Sequence, residues 1–275
     1  MPPILPENKL EDESDAMVQQ KKLCEIRAQL AALADPAYRQ FQSALLKKPG
    51  EDTLTGSAAH YLGVRLPGLR KLAAKLEKED WEMNLEVLRA ANRSQTISAC
   101  AYEERMLEGI LIGLAFGRGI GVDRQLALTV DFVPLIDNWG LCDSFCAGLK
   151  SAGQYQSRFW AFLQPYLISD KEYEIRFGVV MLLDYFITPE YIDRLYPIFD
   201  AVCHDGYYVK MAAAWAVSIC YVHFPQKTMQ YLQNNRLDDF TYNKALQKII
   251  ESLCVSKEDK AVIRSMKRSH KDTRK

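Results

Sequence analysis

The sequence lacks net charge: 35 Lys and Arg stand against 35 Asp and Glu in 275 residues. That excludes a polycation that coats nucleic acid through bulk charge. Long hydrophobic runs are also missing. The best, Ile110 to Phe116, is far short of the roughly 20 residues that cross a bilayer, so no membrane partner is expected. The N-terminus is acidic and has no apolar stretch of the secretory-signal kind. Only four histidines occur (His60, His204, His223, His270), and none sits in HExxH or another ligand spacing. Neither a metal nor another cofactor is expected. No Ser or Cys lies in a nucleophile motif. Apolar–polar alternation bounded by turn pairs is absent, so β structure should be minimal. Gly117-Arg118-Gly119-Ile120-Gly121 has the glycines of a phosphate loop, but it follows a helix and lacks GxGxxG spacing. It reads as a helix end and a turn. The seven cysteines are odd in number and lie mostly among apolar residues in helical patterns. Reduced thiols and a cytoplasmic location follow as expectations. Cys142 and Cys146 are i,i+4 and could touch a soft metal, but no second ligand pair accompanies them.

What is present is a repeat. Tyr173-Glu174-Ile175-Arg176 is echoed by Tyr207-Tyr208-Val209-Lys210 and by Tyr242-Asn243-Lys244, with 34 positions from Arg176 to Lys210 and 34 more to Lys244. Tyr102-Glu103-Glu104-Arg105 starts a similar segment 71 positions before Arg176, two periods with a small insertion. A period of this length marks a helical solenoid. Stacking would place the cations of these helix starts along one concave groove.

Almost everything from Val18 onward reads as helix. Helices are expected at 66–78 and then in pairs: 84–91 with 98–116, 122–133 with 139–153, 156–167 with 172–186, 189–203 with 207–223, and 225–233 with 239–250. Pro134, Pro189 and Pro225 fall between elements, and Pro49-Gly50 stops an earlier helix. The second helix of each pair is the more apolar, as in Phe177-Gly178-Val179-Val180-Met181-Leu182-Leu183. The predicted fold is all-α, an α-α superhelix of about six hairpins. Residues 1–16 are expected to be a disordered acidic tail, 17–255 a single repeat domain, and 256–275 a basic helix or tail. Residues 257–275 carry a net charge of +5, and residues 7–15 one of −4.

Three places could carry chemistry. In Asp137-Asn138-Trp139-Gly140-Leu141-Cys142-Asp143, Asn138 or Asp137 can cap a helix, and Trp139 and Asp143 are i,i+4 and share a face. An aromatic ring beside a carboxylate attracts a cation. Arg176 begins the next repeat's apolar helix, and Trp215 lies one repeat later. Each also has a plain structural reading: Trp as core, Asp143 as a cap or pair, Arg176 paired with Glu172 or Glu174. Trp81 and Trp160 lack a carboxylate in register and read as core.

At these residues the chain resembles the AlkD-like DNA alkylation repair family, DNA glycosylases built from HEAT-like repeats. The resemblance covers roughly residues 55–250. It runs from His60-Tyr61-Leu62-Gly63-Val64-Arg65-Leu66-Pro67-Gly68-Leu69-Arg70 through Trp139 and Asp143 to Arg176 and Trp215. It implies excision of positively charged N3- or N7-alkylated purines from duplex DNA. By resemblance, Asp143 is the catalytic carboxylate, Trp139 and Trp215 flank the damaged nucleotide, and Arg176 holds the DNA backbone. Lys210 and Lys244 join it as backbone contacts. The chain departs from the pattern at Ser218, where members often carry arginine, and around Trp139, where they often have a second Trp and a further acid. Those departures keep a second expectation open, a catalytically silent HEAT-like module that binds DNA or a protein. A monomer is expected.

Overall fold

The structure, a computed structural model, describes residues 7–47, 50, 53–94 and 96–268, with side chains from Asp15 on. Of the expected acidic tail, residues 1–6 lie outside the described residues, and of the basic tail, residues 269–275; Pro49 of the expected Pro49-Gly50 stop also lies outside them. Thirteen α-helices and four short 3-10 turns make up the described chain, with no strand among the described residues. The helices are α1 (Glu7–Leu33), α2 (Pro36–Leu46), α3 (Leu66–Asn92), α4 (Ala101–Ala115), α5 (Gly121–Phe132), α6 (Trp139–Gly148), α7 (Gln156–Leu167), α8 (Glu172–Tyr185), α9 (Ile192–Ala201), α10 (Tyr207–His223), α11 (Pro225–Gln233), α12 (Asp239–Glu251) and α13 (Lys257–Ser265). The fold class is all-α, of helical repeats. No helix among the described residues is long and apolar enough to cross a membrane.

Helix limits follow local chemistry. Asp35 caps α2 by accepting Tyr38 N–H at 3.0 Å, and Pro36 occupies the first turn, where its missing N–H costs nothing. The two helices expected at 66–78 and 84–91 run together as α3, with a bend at Asp80 (φ −151°, ψ 88°). The Asp80 carboxylate accepts Met83 N–H at 3.1 Å and so caps the second stretch.

The helices gather into two compact units, 1–149 and 150–275. In the second, α8 packs on α10 and α10 on α12, while α7 covers α8 and α11 covers α10. Every residue from Ile175 to Leu183 is buried, as suits a helix packed on both sides. A parallel set of ring contacts joins the covering helices. Tyr196 stacks on Tyr231 at 4.6 Å, and Trp160 meets Tyr191 at 4.9 Å with Arg194 over its ring at 4.1 Å. After α12 no further repeat follows in the described chain. Instead Arg268 lies over the Tyr242 ring at 3.9 Å and donates to Leu237 O at 2.7 Å, while its backbone exchanges hydrogen bonds with Asn243.

In the first unit, α4 packs against α3, α5 and α6. It buries three carboxylates, Glu103, Glu104 and Glu108. Burying a charge is costly unless it is paired or hydrogen-bonded, and each acid is compensated. Glu103 accepts the N–H groups of Leu62, Gly63 and Val64 at 3.0–3.2 Å. Glu104 pairs with Arg27 at 2.6 Å, and Glu108 with Arg93 and Asn92 at 2.9 and 2.8 Å. The loop that Glu103 holds turns at Gly63 (φ +97°), where an added Cβ would stand 2.6 Å from Asp35 O.

The cations that recur at helix starts bind forward along the chain. Arg105 donates to Asp137 at 2.6 Å, and Arg176 to the Tyr208 carbonyl at 2.8 Å, each 32 positions on. Lys210 lies 3.4 Å from Asp205 and 3.8 Å from Asp238. The period seen in the sequence is thus, at these three positions, a set of staples from one helix to the next segment.

Removing the Glu103 charge should weaken the first unit. Glu103→Gln leaves three backbone donors facing an amide, and we expect a loss of about 2–3 kcal/mol in urea unfolding. Desolvation outweighs these bonds and holds the Glu103 carboxyl above its ordinary range. The folded chain therefore binds that proton more tightly than the unfolded chain. Its contribution falls as pH rises through the window above the ordinary carboxylate value, and stability of the variant should lose that part of the slope.

Candidate functional site

Trp139 and Asp143 meet at a cavity of about 200 Å³ in the first unit. Its polar and aromatic lining comes from Tyr38 and Gln42 of α2, Tyr61 of the 61–65 loop, Tyr102 of α4, and Trp139, Asp143 and Ser144 of α6; the rest is aliphatic, Met or Gly. Asp143 is the one residue of that lining with a formal charge.

The start of α6 sets the geometry. Asn138 is its N-cap, with Oδ1 accepting Leu141 N–H at 2.9 Å. The Asn138 amide donates to Asp137 Oδ1 at 2.9 Å. Asp137 also accepts the Ser57 N–H and hydroxyl, both at 2.7 Å, and Arg105 at 2.6 Å; Arg105 in turn reaches Leu135 O at 3.0 Å. One carboxylate thus gathers three segments and fixes where the helix begins. Trp139 is then the first helical residue and Asp143 lies one turn on, on the same face. The Trp139 indole N–H donates to Leu45 O at 3.1 Å, so α2 sets the ring's orientation. Gly140 permits the approach of α6 to α4, because a Cβ there would lie 2.9 Å from Tyr102 Oη.

The tyrosines form adjoining walls. Tyr38 and Tyr61 are 6.5 Å apart at 67°, and Tyr61 and Tyr102 are 4.8 Å apart at 71°. Burial pushes the phenol groups of Tyr61 and Tyr102 far above their ordinary range, with nearby acidic groups adding to it. Both rings stay neutral. Arg65 lies over the Tyr38 ring at 4.3 Å and donates to Asp35 at 2.9 Å.

The remaining residues expected at the site belong to the second unit. Arg176 is only 5% exposed, between the Tyr208 carbonyl at 2.8 Å and the Tyr208 ring at 5.8 Å. Trp215 is half-buried on α10, and Ser218, buried, donates its hydroxyl to Trp215 O at 2.7 Å. Lys210 has the acidic neighbours given above, and Lys244 donates to Gln247 Oε1 at 3.1 Å. Cys142 and Cys146 are both buried.

Tyr38, Gln42, Tyr61 and Tyr102 were not foreseen as site residues. Tyr61 and Tyr102 stood inside noted segments, yet nothing in their spacing ties them to Trp139. Nor did the sequence show that Asp137 would be the hub of α6.

The fold and this cavity define a helical-repeat protein with an aromatic-walled site around a single carboxylate. A family described as DNA alkylation repair enzyme matches residues 26–249, most of the chain. The chain belongs to that family and has its role in DNA alkylation repair. No curated protein matches the chain.

The cap of α6 gives a direct check. Asn138→Ala removes the Leu141 partner and one of the Asp137 bonds. It should cost about 1–2 kcal/mol in urea unfolding and shift the tryptophan emission through Trp139. An unchanged midpoint would show that Asp137 alone fixes the turn.

Proposed function

We infer that the protein is a DNA glycosylase that excises positively charged N3- and N7-alkylated purines from duplex DNA. The observation that carries this reading is the pairing of Trp139 and Asp143 on one cavity wall whose lining has no other formal charge. Alkylation at N3 or N7 makes the base cationic and hence a good leaving group. No acid is needed to protonate it. One carboxylate then suffices to stabilise the oxocarbenium-like sugar and to orient water, where other glycosidases use two. Asp143 takes that role, and Trp139 contacts the damaged nucleotide through its ring. On the family pattern Trp215 is the second aromatic contact, and Arg176, Lys210 and Lys244 hold the DNA backbone. Lys244 keeps its ammonium within reach of solvent. Arg176 and Lys210 must exchange the partners described above for phosphate, so their grip is purchased against existing bonds.

That cost, with Ser218 turned inward, favours one second reading: a silent module that binds DNA or a protein without chemistry. A duplex carrying a single N7-methylguanine separates the two. We expect base release by the wild type and none by Asp143→Asn, with duplex binding retained. Activity surviving in Asp143→Asn would remove the proposed mechanism, and no release by a folded wild type would establish the silent module. A second expectation concerns backbone grip. Ser218→Arg should tighten duplex binding several-fold at low salt and steepen its salt dependence; unchanged affinity would mean that position 218 does not face the backbone.

A further inference from the structure

The cavity itself says more about what it takes. We propose that it is a receptor for one small N-alkylated heterocyclic cation, read by the tyrosine walls as well as by Trp139, and that its size excludes bulky adducts. The proposal rests on the role given above to Asp143 and Trp139, but it adds the tyrosines, Gln42 and a size limit.

Charge decides the sign of the ligand. Asp143 is the single formal charge on the lining. A phosphate group would meet that carboxylate with no lining cation to offset it, so the cavity is not a backbone site. A neutral base gains only packing there. A cation gains the carboxylate and the ring faces together, in a site where burial weakens competition from water. The rings suit this use. Tyr61 and Tyr102 cannot ionise near neutral pH and so keep their faces as uncharged quadrupoles. The cluster already holds a cation from within the chain, since Arg65 lies over Tyr38 without lining the cavity. The near-perpendicular pairs Tyr38–Tyr61 and Tyr61–Tyr102 form corners rather than a flat platform. A corner fits a compact ring with a small substituent.

Size sets the second part. About 200 Å³ has room for a purine with a methyl group. The walls behind it are not free to retreat. Tyr61 and Tyr102 are buried, and Tyr102 Oη already stands against Gly140. A large substituent on the base therefore meets packed core.

The test uses the full chain and two nucleosides that differ by one methyl group and its charge, N7-methylguanosine and guanosine. Calorimetric titration is run at mildly acidic pH, where the first is a cation. We expect the cation to bind about tenfold more tightly. Tyr61→Phe should keep that ratio and Tyr61→Leu should abolish it. Gln42→Lys, at a half-exposed position that does not endanger folding, should abolish it as well by adding a cation to the lining. Equal binding of the two nucleosides by the wild type would overturn the proposal, and so would a ratio that survives Gln42→Lys. Were Tyr61→Leu to unfold, Gln42→Lys decides alone. On duplex DNA, an N7-benzylguanine should be released at least about tenfold more slowly than N7-methylguanine; equal rates would remove the size limit. The two readings fail separately. Excision without nucleoside discrimination sinks the receptor and leaves the glycosylase, while discrimination without excision does the reverse.

Discussion

The arrangement at Asp137 is the constraint on which the site depends. A carboxylate offers about four acceptor positions, and Asp137 uses them on Ser57, Arg105 and Asn138. Those partners come from a 3-10 turn, from α4 and from the cap of α6. Because Asn138 must satisfy both Asp137 and Leu141, the first turn of α6 has little freedom. Trp139 inherits its place from that turn and its ring angle from Leu45 O. Asp143 inherits its side of the helix from the same start. The chemistry of one acid is thus positioned by the hydrogen bonds of another, six residues earlier.

The treatment of charge elsewhere is consistent with this. The chain balances its cations and anions, and many are spent on each other inside the fold. Arg27, Arg93 and Arg105 compensate buried or half-buried acids, and Arg176 is committed to a backbone carbonyl. A protein that uses its arginines this way has less field to cast over a polyanion. Recognition must then lean on a local site in which a single uncompensated sign matters. The cavity with Asp143 as its one formal charge has that character.

Much of the helical order could be read from the sequence, because it depends on local signals. α7, α10 and α11 occupy the residues expected for them, where Pro225 starts one helix and Gly206 precedes another. The bend at Asp80 stands where two helices were expected; a cap without a breaking Pro or Gly leaves the axis bent rather than interrupted. The Trp139–Asp143 pair was legible for the same reason, since a spacing of four is a helical face. The rest of the cavity was not. Tyr38, Tyr61, Tyr102 and Trp139 come from four segments, and only tertiary packing brings them together. The repeated cations show the limit most clearly. Periodicity reports that Arg105, Arg176 and Lys210 hold equivalent places, but it is silent on whether an equivalent place faces water or the next segment. Burial answers that, and for Arg176 the answer is the Tyr208 carbonyl.

The buried acids of α4 also impose an order in time. The partners of Glu103 lie at 62–64, that of Glu104 at Arg27, and those of Glu108 at Asn92 and Arg93. All of them precede α4 in the chain. As the polypeptide leaves the ribosome, each carboxylate meets a compensating group that has already emerged, and none has to wait uncompensated in a collapsing core. Arg105 alone looks ahead, to Asp137. The nascent first unit can therefore condense around α4 with a single open connection, and the arrival of Asp137 both closes that connection and sets the start of α6.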